Sequence, residues 1–414
     1  MGYDRNFELE DPDLRKKYGL GERLRFPSIE DSSYYSQNLL SNDADWIEFE
    51  ATVSTLPDQI AITPGYLQKE WTEGGRRYFQ YKMDSRMLKF YSIVSARYEV
   101  KRDTWQAPDG REVRLEIYYH KGHEFNLDRM MDAMKKSLSY FSTAFGYYPH
   151  QQARILEFPR YQGFAQSFAN TIPYSESIGF IAKVGEDDVD YPFYITAHEL
   201  AHQWWPHQVL PAYVQGFQFL SETLAQYSAL MVMEKEFGKE QMKKYLRYEL
   251  NNYLRQRTGE RVKELPALLS ENQTYIHYNK GSLIMYALKD YIGEDSLNAA
   301  LKRYLDDSRF GGPPYVTTRD WMEYVQAVTP DSLKSVLTDM FETITLFDIK
   351  TDSAAAVEKD SVWTVKLNVV VKKYRDNGTG EETEIPANDY IDIGIFGKEK
   401  INGKWEPKTL YLQR

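Results

Sequence analysis

The chain has 414 residues, 42% of them hydrophobic, and a formal net charge of −10. That length supports a sizeable core and two or three domains, and the acidic balance excludes the basic face that a nucleic-acid binder needs. With no cysteine in the chain, disulfide scaffolding, cysteine-held zinc and thiol catalysis are excluded as well.

No run of about 18 apolar residues occurs, so no transmembrane helix is expected within the chain. The polar start, residues 1–9, lacks the apolar stretch of a signal peptide. The expectation is a cytoplasmic protein or a soluble portion of something larger. Residues 1–45 are charged and weakly periodic and read as irregular, with a short helix near 11–18. Residues 46–122 read as a β-rich domain. Ile47, Phe49, Ala51 and Val53 alternate along 47–55, 59–62 ends at the turn Thr63-Pro64-Gly65, and 77–83, 90–100 and 113–119 complete the set.

Residues 123–344 form a mixed, mainly helical domain. Leu127, Met130, Met131, Met134, Leu138, Phe141 and Phe145 fall at helical spacing, and Gly146 supplies a stop. Within 152–182 the segments 153–158 and 178–182 read as strands. Most of 194–343 is helical. Met242, Leu246, Leu250, Tyr253 and Leu254 make one apolar face, and helices follow at 282–292, 296–305, 319–328 and 332–342. Residues 345–414 return to strands. The run 362–374 alternates, reaches the turn Asp376-Asn377-Gly378 and is expected to pair with 390–396.

The most informative stretch is Ala197-His198-Glu199-Leu200-Ala201-His202. Two histidines four apart on a helix share a face and can offer two nitrogens to one zinc. Glu199 projects beside such an ion and can take a proton from its water. About twenty residues on, Glu222 sits among apolar neighbours, where a carboxylate needs a partner and a metal ion would serve. The metal set is therefore read as His198, His202 and Glu222, holding one Zn2+ ion. His207 lies five after His202 without the glycine a third-histidine pattern requires, so it reads as a cleft-wall or supporting residue. His120, His123, His150 and His277 have no ligand-like spacing to the pair. Gln226, one turn beyond Glu222, is placed to hydrogen-bond a ligand.

These residues resemble the gluzincin aminopeptidases, the group of aminopeptidase N and leukotriene hydrolase, whose pattern is HExxH followed by a distant Glu. Tyr275-Ile276-His277-Tyr278-Asn279-Lys280-Gly281 is similar to that family's Tyr-x-Lys-Gly segment. The resemblance implies that Tyr278 steadies the oxyanion. It also implies an α+β multidomain fold: a partial β-sheet N-terminal domain, a thermolysin-like, mainly helical catalytic domain and a C-terminal β segment. More closely, residues 198–208 and 221–233 resemble the peptidase half of bacterial proteins that fuse a membrane permease to such a peptidase, which implies covalent linkage to a permease portion as a partner.

The chain departs from the family's pattern in three ways. Nineteen residues separate His202 from Glu222, one more than the family's usual spacing. The family's Gly-x-Met-Glu-Asn strand, whose Glu binds the substrate amine, is replaced by Gly163-Phe164-Ala165-Gln166-Ser167-Phe168-Ala169-Asn170. Substrate contacts are therefore expected from Gln166, Ser167 and Asn170, none of them charged. The N-terminal β domain is also short. The reading that results is zinc-dependent peptide hydrolysis, aminopeptidase-like, with a peptide as partner. An endopeptidase, a peptide-binding sensor without turnover and a purely structural zinc staple are the alternatives. Oligomeric state is not legible.

Overall fold

The computed structural model describes residues 12–20, 26–40, 44–185, 188–401 and 404–413. The polar start at 1–9 lies outside them. The short helix expected near 11–18 forms at Pro12–Lys17 (α1). None of the described helices is long and apolar enough to cross a membrane.

The N-terminal strands make small antiparallel sheets. Glu50–Thr55 and Tyr66–Glu73 flank Arg76–Lys82, Ile60–Ile62 pairs with Val94–Ala96, and Trp46–Ile47 pairs with Met87–Leu88. The Tyr66–Glu73 strand was not expected. It starts at Gly65, whose φ of +99° and close approach to the Lys82 carbonyl carbon, 2.9 Å from an added Cβ, leave room for no side chain. The single run expected at 90–100 is divided into Val94–Ala96 and Glu99–Gln106. Between them Tyr98 turns inward, and its hydroxyl donates to the Glu157 carbonyl at 2.7 Å.

A four-stranded sheet underlies the helical part. Its order is Glu99–Gln106, Glu112–Tyr119, Gln152–Phe158, Thr171–Ser175, so it takes strands from both sides of residue 122. The first pair is antiparallel and the remaining two steps are parallel. Every residue of Gln152–Phe158 is buried, as befits a parallel strand covered on both faces. The strand expected at 178–182 does not form, and Thr171–Ser175 takes that place. The carbonyls of Gly179 and Ala182 accept from Asn126 Nδ2 at 2.7 and 2.8 Å, so a side chain satisfies backbone groups that a strand neighbour would otherwise take.

Helices Leu127–Ala144 (α2), Tyr191–Ala201 (α3), Leu224–Phe237 (α4), Met242–Arg257 (α5), Gly281–Ile292 (α6), Glu294–Ser308 (α7) and Thr318–Val328 (α8) follow. The methionine-rich face of α2 is core, as its spacing predicts: Met130, Met131, Met134, Leu138 and Phe141 are buried. The helix expected at 332–342 is instead a short α-helical piece, Lys334–Leu337, between a tight turn at Asp331–Leu333 and a wide one at Thr338–Glu342. On α5 the apolar face is also corrected. Leu250 and Leu254 are 43% and 46% exposed, while Tyr245, Glu249, Asn252 and Tyr253 face inward.

The C-terminal part opens with a long hairpin, Ile344–Lys359 against Val362–Asp376. Its connection is Asp360-Ser361, both at positive φ, 53° and 62°, the left-handed pair that a two-residue hairpin turn requires. Residues 362–374 therefore pair with their own predecessor and with Glu382–Ile385, not with 390–396 as expected. Ile393–Ile401 pairs with Lys404–Gln413.

Glu249 explains why α5 is turned. Its carboxyl receives the Tyr194 hydroxyl at 3.0 Å and Asn279 Nδ2 at 2.5 Å, joining α5 to α3 and to the turn before α6. Burial raises its pKa from 4.5 to about 7. The native state therefore keeps a proton that the unfolded chain loses. Glu249's contribution is full below about pH 4.5 and is lost as pH rises to about 7. Glu249→Gln is expected to remove that loss. In denaturant melts its stability relative to the natural chain should rise between pH 5 and 7.5 by on the order of 2 kcal/mol and change little beyond. A pH-independent difference would mean that Glu249 does not titrate in this window.

Candidate functional site

Helix α3 is built to point its last turn at one spot. Asp190 caps it, accepting the Phe193 N–H at 3.2 Å, and Pro192 occupies its first turn. The two tryptophans after the helix anchor its end. Trp204 packs on Phe141 and Tyr148 and donates to the Gly146 carbonyl at 3.0 Å, and Trp205 packs on Phe145 and Tyr304. The Trp205 carbonyl accepts His202 Nδ1–H at 2.6 Å. That bond fixes the ring so that Nε2 of His202 faces His198 and Glu222.

His198 Nε2 lies 3.0 Å from His202 Nε2, and Glu222 Oε2 lies 3.4 and 3.3 Å from the two nitrogens. Ligands about 2.0–2.1 Å from a tetrahedral zinc stand about 3.3 Å apart, so the triangle has the size such an ion demands. Glu199 Oε2 is a buried oxygen with no hydrogen-bond partner among the described residues, and the buried Glu222 Oε2 meets the two imidazoles only at ion-pair distance, an arrangement that calls for a cation or a water. The donor set fits one divalent ion.

Electrostatics divide these groups. Burial pushes Glu199 up to about 7. Burial works against charge on His202, but Glu222 and then Glu199 outweigh it and lift its imidazole to about 9. Burial lowers His198, and the Glu222 carboxylate, with Gln226 after it, opposes that by favouring the charged form. Tyr278 stands near His198, ring centroids 5.8 Å apart. Burial, followed by the charges of Glu222 and Glu199, keeps its hydroxyl protonated far above neutral pH, so it is a donor.

Glu222 and Tyr278 each sit on a wide helical turn, Phe219–Thr223 and Tyr275–Lys280, with i→i+5 hydrogen bonding. Such turns concentrate at functional sites. They are fastened together: Thr223 Oγ1 donates to the His277 carbonyl at 2.5 Å, and an added Cβ on Gly281 would sit 2.4 Å from that same Oγ1. Nothing in the spacing of residues signals this junction, because it joins segments more than 50 positions apart.

Residues 164–168 run antiparallel along Thr171–Ser175 at the sheet edge. Gln203, immediately after His202, fastens this edge to the end of α3. Its Nε2 donates to Ser167 Oγ at 2.6 Å and to the Phe168 carbonyl at 2.9 Å, and its Oε1 accepts the Asn170 N–H at 2.9 Å. His207 is a supporting residue, donating from Nε2 to the Ser167 carbonyl at 3.0 Å. Ser167 and Asn170 are fully buried in this network. Asn170 Oδ1 also accepts from Gln152 Nε2 and an Arg154 amino group, at 3.1 and 3.2 Å. Gln166, just before Ser167, stays half-buried. Sequence spacing missed a second cluster: His120 and His123 meet at Glu157.

The family model "Peptidase family M1 domain" matches residues 129–341, from α2 to the start of the C-terminal hairpin. The chain belongs to peptidase family M1. Among curated M1 relatives, endoplasmic reticulum aminopeptidase 2 of Homo sapiens is 26% identical over 47% of this chain and 21% of its own length. Aminopeptidase N of Lactobacillus helveticus is 22% identical over 70% of this chain and 34% of its own. The chain thus spans at most about a third of these relatives. In fold it is similar to the M1 zinc metallopeptidase of Deinococcus radiodurans (TM-score 0.56, 16% identity, 72% of this chain, 63% of that one). It is likewise similar to Legionella pneumophila aminopeptidase A in complex with aspartic acid (TM-score 0.58, 17% identity, 90% and 42%).

Gly281→Ala tests the junction of the two wide turns in this M1 chain. Overpacking against Thr223 is expected to cost about 1–3 kcal/mol in denaturant melts and to weaken zinc uptake, read by calorimetry. Unchanged zinc affinity would show that Glu222 holds its place without the junction.

Proposed function

We propose that this chain hydrolyses peptide bonds as a zinc-dependent, aminopeptidase-like enzyme. Residues 123–344 are the catalytic portion in this reading, between β-rich portions at 46–122 and 345–414. The observation that carries it is the triangle of His198 Nε2, His202 Nε2 and Glu222 Oε2, with edges of 3.0–3.4 Å and a buried carboxyl, Glu199, next to it. A zinc ion held there would polarise the scissile carbonyl and acidify water. Glu199 takes the proton of the attacking water and passes it to the leaving amine, a task suited to a carboxyl raised toward neutrality. Tyr278 donates its hydroxyl hydrogen to the developing oxyanion.

The extended substrate lies along 164–168. Phe164, Gln166 and Phe168 spend their backbone groups on Thr171–Ser175: the Phe164 carbonyl accepts from Ser175, and the Gln166 and Phe168 N–H groups donate to Pro173 and Thr171. Alternation turns the backbone of Ala165 to the other side, where a peptide can add as a further strand. The family likeness gives the substrate amine to the position near which Gln166 and Ser167 stand here, and of the two only Gln166 is not fully buried. Gln166 is neutral, which favours a second reading, cleavage inside longer peptides.

Glu199→Gln should keep its zinc and lose at least about 100-fold in turnover; zinc retained with full turnover would remove Glu199 from the mechanism. A mixed peptide library digested with and without chelator and read by mass spectrometry separates the two specificities. Ladders from the N-terminus are expected for the aminopeptidase reading and internal cuts for the second. No chelator-sensitive cleavage at all would overturn both.

A further inference from the structure

Three parallel strands end together on one side of the sheet, and the residues at their carboxyl ends are His120 after Glu112–Tyr119, Glu157 near the end of Gln152–Phe158, and Glu176 after Thr171–Ser175. His123 joins them from the loop that leads to α2. This is the side of an open parallel sheet on which ligands bind.

Glu157 is fully buried, and its ion-pair partners are both imidazoles. Its Oε1 lies 3.4 Å from His120 Nδ1 and in direct contact with His123 Nδ1. Glu176 Oε2 is 3.9 Å from His123 Nδ1, and Glu176 is itself 3.6 Å from Arg160, which is largely exposed. The donor atoms of His120, His123 and Glu157 all lie within 4.8 Å of one another. Supporting contacts hold them there. The His120 backbone N–H donates to Glu157 Oε2 at 2.6 Å, which turns Oε1 toward the two rings, and the Tyr98 ring stacks on His120 at 5.4 Å.

We propose that His120, His123 and Glu157 form a second metal site, for a divalent transition metal of the zinc class, with Glu176 in reach as a fourth oxygen ligand. Two imidazoles and a carboxylate match that ion's preference, and a supporting hydrogen bond on the ligand carboxylate is what such sites carry. An ion there would take the place of the direct His123–Glu157 contact. It would tie the ends of two strands to the loop that enters α2. The site shares no residue with the triangle at His198 and does not depend on the peptidase reading.

The test is zinc uptake by the full chain, stripped with chelator and titrated with Zn2+ in a calorimeter. His120→Asn/His123→Asn changes only partly exposed side chains and is expected to bind one ion fewer than the natural chain. His198→Asn/His202→Asn is expected to retain uptake at the second site. Undiminished uptake by the His120/His123 variant overturns the proposal. A measurement free of variants is anomalous scattering at the zinc edge from crystals soaked in Zn2+. A peak between His120 and Glu157 is expected, and its absence counts against the site.

Discussion

Two imidazole nitrogens and a carboxylate oxygen held 3.0–3.4 Å apart, next to a buried carboxyl, are the constraint around which the helical part of this chain is organised. Polar groups brought so close in a desolvated setting keep that arrangement only where the surrounding packing is rigid. The support is aromatic and large. Trp204 and Trp205 fix the end of α3 against α2 and α7, and through the Trp205 carbonyl the same packing sets the orientation of the His202 ring. Packing and coordination geometry are therefore one problem in this molecule.

The sheet enters through Gln203. One amide side chain reads three backbone and side-chain groups of the edge segment, so the edge where a substrate strand would lie is set relative to α3. Arg154 and Gln152 hold the far side of the same segment through Asn170. Ser167 and Asn170, which their place in the family's substrate strand made candidates for touching substrate, are occupied in building the edge. Gln166 is left half-buried.

Local patterns were legible where one residue type answers to one geometric need. The four-residue histidine spacing placed both imidazoles on one face, the Met130–Met134 spacing gave a core helix face, and the apolar setting of Glu222 announced a partner. What was not legible depended on partners distant in the chain. The strand expected at 178–182 is cancelled by Asn126, more than 50 positions away. The face of α5 is decided by Glu249 reaching Tyr194 and Asn279, and a carboxyl drawn inward defeats any count of apolar residues. The pairing of 362–374 was missed because Asp360-Ser361 is an uncommon pair for a tight reversal, so the strand before it went unnoticed. His120 and His123 show the same limit: three positions apart, they acquire a common partner only when the parallel strands align.

The Thr223 hydroxyl, donated to the carbonyl of His277 and pressed against Gly281, has a dynamic consequence. It couples the turn that carries Glu222 to the turn that carries Tyr278. A fluctuation that swings Glu222 outward must drag the turn bearing Tyr278 with it. Arrangements with one of these two side chains in place and the other displaced are disfavoured by that bond. Loss of grip and loss of reactivity would track each other across temperature, as though the site had one hinge instead of two.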